Sequence, residues 1–290
     1  VALGSALWGT DSVLRRPLTQ SLSSPVIVLW EHLILSAIAV PVLAMRWREL
    51  REMRARDWLA VLGISWGGSA LATVLFTAAI ARGNVNTAVL LQKVQPLFTF
   101  LLAGPLLGER LSRRMWGYLA LAVAGAWLVS FGDRGLWPAL TGSEVSAALL
   151  ALGASALWGT STVLGRLLTP RVSFPAITLL RFLVALPLLV AIVVTQGAAI
   201  PALDANQFLR LAAMALVPGL AALLLYYRGL VNTAAPAAAI AELAFPATAV
   251  ILNWTFLNQR AAPLQLVGFA IIWVVVARIQ GAAERNSSNG

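Results

Sequence analysis

The chain is a repeat of itself. The pentapeptide ALWGT at residues 6–10 returns at 156–160, and the same offset of 150 pairs Val13 with Val163, Leu14 with Leu164 and Arg16 with Arg166. The register then holds without a gap through Pro25 and Pro175, Ile27 and Ile177, Leu59 and Leu209, Pro96 and Pro246, Leu107 and Leu257, and Arg110 and Arg260. After one inserted residue it continues as Gly117 with Gly268. Self-similarity at a fixed offset along a whole chain is the mark of a duplicated folding unit, so any architecture must be built from two copies of one unit.

Hydropathy says what that unit is. The sequence is 60 % apolar and 11 % charged, against roughly half and a quarter in soluble domains. One spanning helix takes about 20 apolar residues. Runs of that kind fall at 1–18, 25–45, 58–81, 86–107 and 114–131, and again at 144–167, 174–195, 207–229, 236–257 and 263–280. The expected fold is therefore an all-α integral membrane protein of ten transmembrane helices, with one five-helix unit at 1–143 and a second at 144–290 that ends in a short polar tail. The first run is short and starts at residue 1 without a methionine, so the chain is expected to begin inside its first helix. The basic start, apolar core and small-residue cleavage site of a signal peptide are not visible.

Five is odd, so the second copy must enter the membrane in the opposite sense, giving an inverted-topology repeat. Charge tests this. With the N-terminus inside, the inner segments hold thirteen Arg, five of them in the link at 46–57, and the outer segments hold six. Excess basic charge marks the cytoplasmic side, which places both termini there. The repeat partner of that link, at 196–206, has no Arg. The net charge of +10 would suggest nucleic acid in a soluble chain, but here the Arg residues sit in short links between apolar runs and report orientation. No nucleic-acid partner is expected.

Other functions are excluded by what is missing. There is no cysteine and a single histidine, His32, which removes thiolate nucleophiles and multi-ligand zinc sites. There is no Walker-type phosphate loop, so ATP hydrolysis is not supported. No cofactor or metal is expected.

Two five-helix units opening on ALWGT, each with a central proline in its fourth helix (Pro96, Pro246), and LLGERL at 106–111 in the first copy, resemble the drug/metabolite transporter superfamily of the EamA type. Within it the chain also resembles bacterial exporters of aromatic amino acids. The second copy departs from the loop pattern, reading Asn258, Gln259, Arg260. The resemblance implies ten helices around a central cavity, the fifth and tenth outside it, and small solutes leaving by alternating access.

Ionisable side chains at membrane depth cost at least about 2.5 to 3.5 kcal/mol on insertion scales and are functional candidates by default. Asp11, Glu31, Lys93, Arg181 and Glu242 qualify. Glu31 and Arg181 are repeat partners, and Lys93 lies one position past the partner of Glu242. Chain direction puts Glu31 and Lys93 in the outer half and Arg181 and Glu242 in the inner half. Each half therefore has one possible ion pair, either gating an access path or a static pair that allows insertion. Asp11 has Arg15 one turn later, a spacing suited to a surface pair. His32 suits either proton coupling or local hydrogen bonding.

Trp8 and Trp158, near mid-span, do not fit the interfacial belt that suits Trp47, Trp58, Trp116 and Trp137. Helical spacing sets Ser5, Asp11 and Ser12 beside Trp8, and Ser155, Ser161 and Thr162 beside Trp158. Such a stripe lines a cavity for a partly apolar solute, or else packs helices through Gly9 and Gly159. Pro96 and Pro246 break their helices at a binding site or serve as packing kinks. Gln92, Gln95, Tyr226, Tyr227, Phe245 and Trp254 could add contacts at similar depth.

The sequence thus reads as an exporter of small amphipathic metabolites, amino acids first. Lys93 and Glu242 would supply both charges a zwitterion needs, and Ser5, Trp8, Ser155, Trp158, Ser161 and Tyr226 would line the site. The alternative is an intramembrane enzyme or lipid-handling protein using Glu242 or His32 as base, for which no cluster of acid, base and nucleophile is found.

Overall fold

The structure, a computed structural model, describes residues 1–95, 97–99, 101–102, 113–132, 142–168, 171–230 and 244–287. All regular structure among the described residues is helical. The first copy contains α1 (Ala2–Trp8), α2 (Asp11–Leu18), α3 (Ser24–Met45), α4 (Trp47–Arg51), α5 (Ala55–Leu62), α6 (Ala72–Arg82), α7 (Val85–Leu91) and α8 (Arg113–Phe131). The second contains α9 (Gly142–Leu168), α10 (Phe174–Thr195), α11 (Ala205–Met214), α12 (Ala222–Leu230), α13 (Ala244–Leu257) and α14 (Pro263–Ser287). Five stretches are long and apolar enough to span: Ser24–Met45, Ala55–Arg82, Gly142–Gly165, Pro175–Thr195 and Ala205–Tyr226. Shorter apolar helices cover Ala120–Val129, Ala244–Leu257 and Pro263–Val275. The expected runs at 86–107 and 236–257 lie partly outside the described residues.

Helix starts follow local chemistry. Pro25 and Pro175 sit in the first turns of α3 and α10, where a missing N–H costs nothing. The Asn84 side chain caps α7 by accepting from the Asn86 N–H at 2.8 Å, and Asp204 with Gln207 forms a reciprocal capping box on α11.

Two features depart from the sequence reading. The first run, expected as one helix over 1–18, is broken between α1 and α2. There Gly9 N–H reaches only to the Ala6 carbonyl at 2.9 Å, and the Thr10 hydroxyl folds back on the Leu7 carbonyl at 2.7 Å. Asp11 then opens α2 as an acidic first-turn residue, favoured at the positive end of a helix. The equivalent stretch of α9 runs straight through, with the Thr160 hydroxyl bonding Ala156 a full turn back at 2.9 Å.

The second feature is a pair of widened turns. Between α5 and α6, Gly63–Leu71 is π-helical, and between α11 and α12 so is Ala215–Ala221, near the same repeat position. Ala72 N–H reaches five residues back to the Gly67 carbonyl, and Ala222 N–H to that of Val217. In the second copy Pro218 lies inside the segment and contributes no N–H to any ladder, which favours a local change of register.

Contacts between links place repeat-equivalent segments at opposite ends of α3. At one end of α3, Ser21 accepts from Gln207 at 3.0 Å. At the other end, Ser173 donates to Glu49 at 2.9 Å and Arg171 pairs with Asp57 at 3.2 Å. The links at 19–23 and 171–173 are repeat equivalents, yet the 22-residue helix α3 separates them, a length of about 33 Å. Helices α8 and α14 cross where Gly125 and Gly268 meet, each too close to the other's backbone oxygen to carry a side chain. Small residues of this kind let membrane helices approach. Buried Gln265 ties the crossing down by donating to the Val129 carbonyl at 3.0 Å and to Thr87 at 3.2 Å.

Candidate functional site

The repeat carries its own aromatic geometry to the middle of the molecule. On α1, Gly4 lies so close to the backbone of Ala222 and Tyr226 on α12 that no β-carbon would fit. Trp8, four residues on and therefore on the same face, meets the Tyr226 ring at 4.8 Å between centroids, tilted by 42°. The offset of 150 maps Trp8 onto Trp158 and Tyr226 onto Phe76. Those two rings are also in contact, edge to face at 5.4 Å. Each motif indole thus pairs with a ring on the third long helix of the other copy. Trp8, Trp158 and Tyr226 are half-buried, while Phe76 is buried. Phe76 was missed in the sequence; applying the repeat offset to Tyr226 would have found it.

Helix α7 tightens at Gln92–Val94, and Lys93 on that turn holds its ammonium 4.9 Å from the centre of the Phe245 ring on α13. Beside it the Gln92 side-chain oxygen is buried and accepts no hydrogen bond from the described residues. A cation over an aromatic face and an adjacent unused acceptor can orient a polar solute.

Glu31, expected opposite Lys93, is instead paired with Arg15 at 2.9 Å. Arg15 also forks onto Asp11 through Nε at 2.8 Å and Nη2 at 2.7 Å, and donates from Nη1 to Thr77 at 3.0 Å. The Asp11–Arg15 spacing suits a surface pair, but Arg15 is 2 % exposed, so the pair belongs to the interior. Sequence spacing could not show that α2 lies against α3 and α6.

Arg181 on α10 donates to the Gly68 carbonyl at 3.3 Å and to Ser69 at 3.4 Å, both in the π-helical turn, and stands 5.8 Å from the Phe182 ring. His32 adjoins it. Its Nδ1 faces the Val28 carbonyl at 2.9 Å and its Nε2 faces Ser69 at 2.9 Å. In the neutral ring the proton therefore sits on Nδ1 and the Ser69 hydroxyl donates to Nε2. A directed chain runs from Arg181 through Ser69 to His32.

The hydroxyls beside the indoles serve packing more than lining. Ser5 and Ser155 have no exposed surface, and Ser155 bonds the carbonyls of Leu91 and Ala151 at 3.1 and 2.9 Å. Ser161 is buried against Gly68. Pro246 is buried near the start of α13. Glu242, Pro96 and the LLGERL loop lie outside the described residues.

The link at 46–57 joins the other copy through Glu49. Its carboxylate accepts from the Ser173 N–H and hydroxyl and lies 3.5 Å from Arg46. Burial favours the neutral acid, but the two Ser173 bonds and the Arg46 charge outweigh it and hold the Glu49 carboxyl below its usual range.

Comparison with known proteins agrees with this architecture. Residues 1–131 and 145–279 match the EamA-like transporter family. The chain is 28 % identical over 289 residues to a riboflavin transporter, ImpX, of Fusobacterium nucleatum, covering 96 % of this chain and 95 % of that protein. It is 24 % identical over 250 residues to an uncharacterized transporter, YwfM, of Bacillus subtilis, covering 82 % and 79 %. A solved crystal structure superposes with a TM-score of 0.63 at 18 % identity, covering 98 % of this chain and 96 % of that one, a likeness of fold. With both helical copies matched, the chain belongs to the EamA-like transporter family, and is a membrane transporter rather than an enzyme.

Proposed function

We propose that this transporter moves small amphipathic solutes with a planar aromatic part across a bacterial inner membrane by alternating access between its two copies. The proposal includes ten spans with both termini in the cytoplasm, supported by the Arg asymmetry. The observation that carries the substrate class is the pair of repeat-equivalent aromatic contacts, Trp8 with Tyr226 and Trp158 with Phe76. Rings already in edge or tilted contact offer faces on which a further ring can stack. Lys93 and the unused Gln92 oxygen supply polar contacts. Riboflavin, the cargo named for a relative matched over nearly its full length, has a planar ring system with a polar chain and is the first candidate.

Export of aromatic amino acids is the second reading, favoured by Lys93 as the partner of a substrate carboxylate. Uptake into proteoliposomes of labelled riboflavin, Trp, Phe, Leu and Met separates the two. Saturable riboflavin uptake that Trp does not compete away supports the first, and saturable Trp and Phe uptake without riboflavin the second. Equal rates for aromatic and aliphatic solutes would overturn both.

A further inference from the structure

In the Asp11–Arg15–Glu31 group one cation faces two carboxylates. We propose that this group is a one-proton site, with the proton held on Glu31, and that its loading and release are coupled to transport; the coupling, though not the site, rests on the transport reading above.

The group sits in a place that tolerates no uncompensated charge. Arg15 has 3 % of its side chain exposed, Glu31 10 % and Asp11 19 %. Glu31 lies seven residues inside the N-terminal end of α3, a depth of about 10 Å along the helix. Buried ions are stable when balanced and costly when not. With both acids ionised the group carries one uncompensated negative charge, and a single proton removes it.

The hydrogen bonds choose where that proton goes. Asp11 receives the two-pronged fork of Nε and Nη2, the stronger geometry, while Glu31 receives one bond, at Oε2. Among the described residues, the surrounding elements add no second cation to the group. From α6 it meets Thr77, whose own hydroxyl proton is given to the Thr73 carbonyl at 2.7 Å. Arg16 on α2 donates to the carbonyls of Ile80 and Ala81. On α3 the neighbour His32 is turned to Ser69, and Arg181 of α10 reaches that same Ser69 and the Gly68 carbonyl. Asn253 of α13 bonds Ser12 at 2.8 Å, and Arg210 of α11 bonds Asn206 at 3.0 Å. Because Arg15 joins α2, α3 and α6, a change in its charge balance is felt by three elements at once.

Two measurements test the site. Infrared titration of the purified protein in lipid reads the protonated-carboxyl stretch without any substrate. The wild type is expected to lose one such band on raising the pH, and Glu31→Gln to lack it. Asp11→Asn should lack it too, because a single carboxylate then balances Arg15. A band that survives in Glu31→Gln, or that titrates unchanged in Asp11→Asn, overturns the site.

Transport tests the coupling. One proton per cycle across one pH unit is worth about tenfold accumulation of a neutral solute. Wild-type proteoliposomes should concentrate riboflavin, or Trp if that is the cargo, under one sign of pH gradient. Glu31→Gln should still exchange labelled for unlabelled solute but only equilibrate. Gradient-driven accumulation in a Glu31→Gln protein overturns the coupling, as does a wild type that exchanges but never accumulates. Absence of exchange with every solute refutes the substrate reading and leaves the infrared result to decide the site.

Discussion

Gly9 and Gly159 occupy the same place in the two copies, and each lies against the same stretch of the opposite copy. A β-carbon on Gly9 would come within 2.8 to 2.9 Å of Phe245, Thr248 and Ala249, and one on Gly159 within 2.8 to 2.9 Å of Gln95, Phe98 and Thr99. The offset of 150 carries 95–99 onto 245–249. The glycine of each motif thus lets its helix sit directly on the proline-bearing segment of the other copy, and the preceding Trp is aimed by that contact.

Backbone lies under both glycines, so an added methyl cannot be relieved by a rotamer change. Gly9→Ala and Gly159→Ala are each expected to destabilise the protein by roughly 1–3 kcal/mol, as overpacking does. Gly165→Ala, with nothing within 4 Å of the new carbon, should be neutral or slightly stabilising, since Ala is the better helix former by about 1 kcal/mol. Thermal unfolding in detergent checks this. Equal melting midpoints for Gly159→Ala and Gly165→Ala would contradict the crossing.

The parts legible in the sequence were those set by local or repeated chemistry: the long apolar runs, the Pro25 and Pro175 helix starts, the two-copy repeat. The glycine packing at Gly9 and Gly159 was also visible as one of two options, and the structure shows that packing beside ring contacts of the neighbouring indoles. What was hidden depends on which helix lies against which. Glu31 had an apparent partner in Lys93, yet α2 lies nearer and brings Arg15. The π-helical turn of the first copy was hidden because GISWGGSAL carries no proline, whereas Pro218 marks its counterpart in the second copy. The break after Trp8 depends on a turn that its counterpart at Trp158, with the same five residues, does not make.

The Glu49 bridge to Ser173 should show a defined pH dependence. A carboxyl whose pKa is lower in the folded protein adds stability above its unfolded value, near about 4.3, and loses it as the pH falls through the lower folded value. The melting midpoint of the wild type should therefore exceed that of Glu49→Gln by a constant margin at neutral pH. The margin should shrink below about pH 4.3. A margin that widens on acidification would mean that Glu49 is not held as the carboxylate by Ser173.

Orientation can be read with single cysteines, because the native chain has none. A cysteine replacing Arg51, in the Arg-rich link, should be protected from an impermeant thiol reagent applied to whole cells, and one replacing Ile200 should be labelled. Labelling at 51 with protection at 200 would reverse the assignment of both ends.

The aromatic pairs predict substrate preference. An aromatic contact contributes roughly 0.5–1.5 kcal/mol beyond the area it buries, about twofold to tenfold in relative transport. Trp8 rests on Tyr226 and Trp158 on Phe76 at equivalent repeat positions, so removing either indole should cost ring-bearing solutes a similar factor. Replacing Trp158 by Leu keeps the position apolar and removes the stacking face. Riboflavin, Trp and Phe should then lose more transport than Leu or Met. Phe76→Leu should produce a smaller shift of the same sign, since it loosens the ring that holds Trp158. Trp116→Leu, at an expected interface, should leave the ratios unchanged. If proteoliposomes carrying Trp8→Leu together with Trp158→Leu keep the wild-type ratio of aromatic to aliphatic transport, the indoles are packing residues alone. The solute would then be recognised elsewhere, with Lys93 and Gln92 the next positions to replace.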